Sequence, residues 1–300
     1  MKKSIKIILW VVLAAFTIFF LTSIFLLADL RTPDIKNNSQ SEEQIQLAHK
    51  LLNDAIKKQG LDQINQFSTY EIVGIDNWKG TMGRMATPWE WNQDKMAFRF
   101  SVGDFDGQAE VLEGEKKGFM AGIQSWDYYE KVDGKYQTNV EDHKGKIFTL
   151  AAYHYFMELG NRLADAPFIR YAGKDQLQGK AIEKIFVSWG NTVTKDYDHY
   201  LLWIGEASGL IEATTFSTRD NPKPAPAFLY GSMRFDDFRN VNGILIPFKQ
   251  TAQMMNPKDN INDFIHQLTI EKFRWDNFAI SEIRPFSEIK PVGDDKPVIK

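Results

Sequence analysis

The segment from Lys146 to Asp165, KIFTLAAYHYFMELGNRLAD, limits what this chain can fold into more than any other. Phe148, Leu150, Ala151, Tyr153, Tyr155, Phe156, Met157, Leu159 and Leu163 spread apolar groups over nearly every helical face. With no proline and a single glycine, Gly160, it predicts about four turns of helix. A helix that is apolar all round has to be covered on all sides. On either flank the periodicity drops to two and the chain reads as strand after strand. The combination implies a helix held against, or inside, a curved antiparallel sheet.

The strand candidates before this helix are Thr69–Trp78, Lys95–Val102, Gln108–Leu112, Lys117–Ile123 and a run ending before Tyr136. After it come Phe168–Lys174, Ala181–Trp189, His199–Ile204, Leu210–Thr218, Ala227–Phe238, Ile244–Met254 and Asp263–Trp275. Asp106-Gly107, Asp133-Gly134 and Asn242-Gly243 are the dipeptides that tight hairpins favour. Asn221 to Pro226 (NPKPAP) cannot join a ladder and predicts a loop. There is no strand–helix alternation, so the predicted class is α+β, with one large antiparallel sheet of ten to twelve strands.

Ahead of the strands, Ser41 and Gln44 have capping-box spacing, and Ile45, Ala48, Leu52, Ala55 and Ile56 recur at helical intervals up to Gly60. This predicts an amphipathic helix with one face to bury. Further upstream, Ile7 to Leu27 carries no charge; its 21 residues would cover about 31 Å as a helix, near the thickness of a bilayer core. A cleaved signal is the alternative, but Leu26 and Ala28 make a poor small-x-small site. Lys2, Lys3 and Lys6 precede the run, which puts the N-terminus in the cytoplasm and the remainder outside it. The expected localisation is therefore single-pass in the inner (cytoplasmic) membrane, with an extracytoplasmic, periplasmic domain. The expected layout is an anchor or uncleaved signal over 1–28, a linker over 29–40, the folded domain over 41–288 and a flexible tail over 289–300.

The chemistry that can be excluded is extensive. The 300 residues include no cysteine, so disulfides, thiol catalysis and cysteine-bound metal are ruled out. Without Lys2, Lys3 and Lys6 the 36 basic residues fall to 33 against 39 acidic ones, which argues against nucleic acid as a partner. No phosphate-binding glycine loop, nucleophile elbow or zinc helix motif is present. The histidines at 49, 143, 154, 199 and 266 lack ligand spacing, so no metal site and no cofactor are expected. His154, between two tyrosines, predicts a hydrogen-bonded core histidine, with a ligand or base role as the alternative. Asp198-His199 and Asp236-Asp237 would diverge on a strand, where neighbours face opposite ways. Asp104, Asp106 and Glu115 faintly resemble a calcium loop, but Ala109 stands where glycine is needed. No catalytic residue is assigned.

Three stretches carry a resemblance. His49 to Ile56 with Gly60, Asn161 to Asp165 with Tyr171 to Gly179, and Phe238 to Pro247 (FRNVNGILIP) resemble an opening helix, a middle-helix exit and a late hairpin of the LolA/LolB-like lipoprotein-carrier superfamily and its envelope relatives. The likeness spans roughly residues 42 to 275. It implies an incomplete β-barrel closed by helices on its concave face, around a hydrophobic cavity for a lipid or acyl chain; it assigns no site residue.

An aromatic content of 13%, with eight tryptophans, fits either a filled space between helix and sheet or an apolar pocket. The residues expected to line such a cavity are Phe148, Tyr155, Phe156, Leu159, Trp189, Trp203 and Phe235. The functional expectation is a membrane-tethered, envelope-facing, non-enzymatic protein that holds a lipid or other apolar ligand in a half-barrel. The alternative is an interaction or sensor module with a filled core and an envelope protein partner.

Overall fold

A computed structural model describes residues 2–23, 28–138, 140–141, 143–217, 219, 230–257 and 264–293. The loop expected at 221–226 and the end of the expected tail lie outside these residues. Strands β1 (Thr69–Trp78), β2 (Gln93–Ser101), β3 (Gly107–Val111), β4 (Met120–Gln124), β5 (Asp127–Val132) and β6 (Lys135–Gln137) precede the central apolar segment. After it come β7 (Phe168–Leu177), β8 (Lys180–Ser188), β9 (Tyr200–Gly205), β10 (Ile211–Phe216), β11 (Gly231–Val241), β12 (Ile244–Met254) and β13 (His266–Trp275).

All thirteen form one antiparallel sheet in the order β6-β5-β4-β3-β2-β1-β13-β12-β11-β10-β9-β8-β7. Two meanders are thus joined through the β1–β13 ladder, which leaves β6 and β7 as the free edges. The chain runs between those edges through α5 (Lys144–Met157) and α6 (Leu159–Leu163). A sheet left open with helices spanning the opening is consistent with an incomplete barrel.

Alternation decides which face is buried. Tyr70 and Ile72 of β1, Met96, Phe98 and Phe100 of β2 and Tyr200, Leu202 and Ile204 of β9 point to one apolar core. On the outward face of β1–β3 Arg99 pairs with both Glu71 and Glu110. A bulge between Val73 and Gly74 bends β1 against β13. There the partner backbone is so near that a Cβ on Gly74 would sit 2.3 Å from the Thr269 carbonyl oxygen. Asn242-Gly243 and Asp133-Gly134 make their turns with positive φ at both residues, as their chemistry predicts. Asp106-Gly107 does not. Gly107 opens β3, and Asp106 is a buried acceptor for the Ser125 amide and Arg284, so this expected hairpin is a five-residue loop instead.

The amphipathic helix is α3 (Glu42–Gln59), once α2 (Pro33–Lys36) has been passed. Ser41 and Gln44 form the reciprocal cap, and Gly60 ends the helix in the left-handed region at φ 77°. Ala48, Leu52, Ala55 and Ile56 face the core. A short 3-10 turn, Leu61–Gln66, leads on into β1.

The N-terminal helix α1 covers Lys2–Ser23. Ile8, Leu9, Trp10, Val11, Val12, Leu13, Phe16, Ile18 and Phe19 on it are all exposed. Among the described residues no helix is long and apolar enough to cross a membrane. The expected span Ile7–Leu27 runs on into 24–27, outside the described residues. Residues 29–40, expected as a linker, are anchored on the sheet through Leu30 and Ile35. Ile35 is buried with Ala172 and Phe186 on the sheet face away from the core, with Leu30 beside them.

Candidate functional site

The central segment is not one helix buried on all sides. Glu158 leaves helical geometry (φ −107°, ψ 13°) and divides it into α5 and α6. Leu150, Tyr153, His154 and Met157 form the buried face of α5, whereas Ile147, Phe148, Ala151, Ala152, Tyr155 and Phe156 are only half-buried. The helix therefore keeps a second apolar face without full cover.

Aromatic rings line that face. Tyr155 stacks on Tyr200 of β9 at 5.6 Å and lies parallel to Phe105 at 6.3 Å. Phe105 packs on Trp126 at 4.8 Å, and Phe156 packs on Phe216 of β10 at 4.8 Å. Trp189 meets the edge of Tyr200 at 6.4 Å. The result is a seam of rings running from the β4–β5 turn, past α5, to the end of β8. At its inner side Phe156, Met157 and Leu159 face Gln59, Leu61, Ile211 and Phe235 across a gap of about 10 Å³. A gap of that size is about one water.

Under the seam the buried side of the helix carries ions. His154 and Glu158 are fully buried, with Nε2 and Oε1 2.9 Å apart. Arg162 closes the row, pairing with the other Glu158 oxygen at 2.8 Å and donating to the Asp104 carbonyl at 2.8 Å. The spacing i, i+4, i+8 sets the three on one stripe. Burial raises the Glu158 carboxyl, but the charges of His154 and Arg162 and a backbone bond at Gly103 reverse this, so it stays below its ordinary value. One turn earlier, the Tyr153 hydroxyl donates to Asp76 at 2.6 Å, and His266 Nε2 lies 2.6 Å from the same oxygen. Burial, then the neighbouring Asp76, push the Tyr153 phenol far above its ordinary value. Both clusters are enclosed by core side chains. Their geometry fits holding the helix in register rather than meeting a ligand.

Of the seven expected lining residues, the structure brings Tyr155, Phe156, Leu159 and Phe235 together, and Trp189 joins them through Tyr200. Phe148 lies on the half-buried face of α5, two turns away. Trp203 has to be corrected. Position 203 alternates with the core-facing 202 and 204, so its ring joins Leu177, Ile182 and Ala213 on the opposite face, with its indole N–H donating to Thr215 at 3.0 Å. Trp189 is likewise a rim residue, 42% exposed, not an interior one. His199 lies on the far face beside Asp29, remote from His154. Phe105, Tyr200 and Phe216 belong to the seam and were not singled out from sequence; for Tyr200 and Phe216 the only signal was strand alternation, which says which face but not which neighbour, and Phe105, in the β2–β3 loop, had none. Among the described residues no cluster of three or more His, Asp or Glu is placed to hold a metal ion.

No protein-family model and no curated protein matches the chain. Among solved structures it is similar to a domain assigned to outer membrane lipoprotein sorting from Vibrio parahaemolyticus, at 9% identity and a TM-score of 0.49, covering 79% of this chain and 97% of that one. A DUF1329 family protein from Desulfovibrio piger follows at 8% identity and TM-score 0.48, covering 80% and 97%. A LolA superfamily protein from Nitrosomonas europaea stands at 13% and 0.43, covering 77% and 94%.

Proposed function

We propose that the chain is a membrane-tethered, envelope-facing binding protein that holds a lipid or other apolar molecule along the seam between α5 and the sheet. The observation that carries this reading is the half-buried aromatic face of α5, set over an open sheet. Such a face gains by being covered: an acyl chain burying a dozen methylenes would contribute roughly 10 kcal/mol before ordering costs. The gap at Phe156 and Leu159 is far too small for that chain. The guest therefore lies in the seam itself, or displaces those two side chains. The tether is α1, with Lys2, Lys3 and Lys6 on the cytoplasmic side and the sheet domain in the periplasm.

Protein purified in mild detergent is expected to carry lipid detectable by mass spectrometry and to take up a fluorescent fatty acid saturably. Phe156→Asp should weaken that uptake while leaving the unfolding transition in place. Absence of both co-purified lipid and saturable uptake overturns the reading. A second reading, an interaction or sensor module with an envelope protein partner, draws on the same gap of about 10 Å³, which leaves no room for a guest between Phe156, Leu159, Leu61 and Phe235. In-cell crosslinking that yields one defined protein adduct, with no lipid bound, favours it.

A further inference from the structure

In this antiparallel sheet, the ends of β1, β3, β5, β8, β10 and β12 and the beginnings of the other strands form a single rim. The helix α4 (Gly80–Ala86) sits on that rim, because it continues directly from β1 and Lys79 donates to the Ile265 carbonyl just before β13. Outside α1, the exposed large apolar residues crowd there. Met82 and Met85 are on α4, Val132 and Tyr136 at the β5–β6 turn, Trp189 after β8 and Met255 after β12, each between 38 and 63% exposed. Elsewhere on the described domain only Leu47 and Val292 reach that exposure.

The same rim receives the chain from α1. The Arg219 guanidinium donates to the Ala28 carbonyl at 3.0 Å, and the Leu30 amide donates to His199 Nδ1 at 3.4 Å. Asp29 is gripped by Arg31 and Lys36. Leu30 packs beside Phe168, Phe186 and Leu201, all near this end of β7–β9. Five chain steps join Ser23 of α1 to Ala28, and five reach at most about 18 Å. The domain therefore stays within that distance of Ser23.

We infer that this rim is seated on the lipid bilayer, with α4 and Trp189 at the headgroup level. The inference rests on α1 being a membrane tether. Trp and Met side chains suit that boundary, where an apolar body is buried and polar groups beside it stay wet. Trp189 is also one end of the aromatic seam, so that end of the seam meets lipid, while its other end, at Trp126, lies on the opposite rim.

The chain lacks cysteine, so single-cysteine labelling is clean. Full-length protein in liposomes is labelled with a fluorophore at Phe16→Cys, Met82→Cys, Met85→Cys, Trp189→Cys or, on the opposite rim, Lys180→Cys, and quenched with nitroxide-bearing lipids. Quenching at 16, 82, 85 and 189 severalfold above that at 180 is expected. Quenching at 16 with positions 82, 85 and 189 no different from 180 overturns the rim inference and leaves the tether standing. No quenching at 16 sinks the tether and the inference together.

Discussion

Glu158 sits where α5 gives way to α6 and is buried between His154 and Arg162, so one carboxylate partners both side chains away from water. Its removal would strand an arginine and an imidazole in the core. Glu158→Ala is expected to destabilise by about 3–5 kcal/mol, read from urea unfolding, because an uncompensated buried charge costs more than the pair contributes. Two residues on, Gly160 allows α6 to approach its neighbours closely: a Cβ there would lie 2.9 Å from Leu61 Cδ1 and 3.3 Å from Ile211 Cδ1. Both residues were visible in the sequence, but only as a charge and a glycine within an apolar run. Their meaning depends on Leu61, Asp104 and Ile211, which are distant in the chain and which no spacing rule connects to position 158.

The elements themselves were more legible. The capping box, Gly60 and the Asn242-Gly243 turn work through neighbours a few residues away, so local chemistry located α3 and the late hairpin closely. The strap from Ala28 to Lys36 was not legible, since its polar composition reads as linker while its order comes from Arg219, His199 and Asn191. Those contacts make it sensitive to acid. Burial pushes the His199 imidazole down to about 4, while it must accept from the Leu30 amide in its neutral form. The unfolded chain binds a proton near the ordinary value of 6.5, so His199 contributes fully above 6.5, and its contribution is lost as pH falls from there to about 4. For Asp29 burial acts upwards, but Arg31 and Lys36 outweigh it and hold the carboxyl at about 2; its share is lost only below 3.8. The expected outcome is a denaturant midpoint that drops between 6.5 and 4, with His199→Asn flattening that part of the curve.

At the scale of the molecule, the thirteen strands are unequal partners. β1 and β13 are paired along almost their whole length and flanked on both sides, whereas β6 has three exposed residues and one neighbour. Native-state hydrogen exchange should therefore find the slowest amides on β1 and β13 and the fastest strand amides on β6, since local opening follows burial and ladder position. Equal protection across the sheet would contradict this picture. In chain order the two edges, β6 and β7, are joined by the segment that holds α5 and α6. That segment contributes no rung to any ladder. Were it to lift like a hatch, side-chain packing, the ionic row and the Tyr153–Asp76 and Lys146–Glu130 contacts would be disturbed, but every strand would keep its partner. Under the proposed binding role, such a hatch would open the interior while the wall around it stays intact.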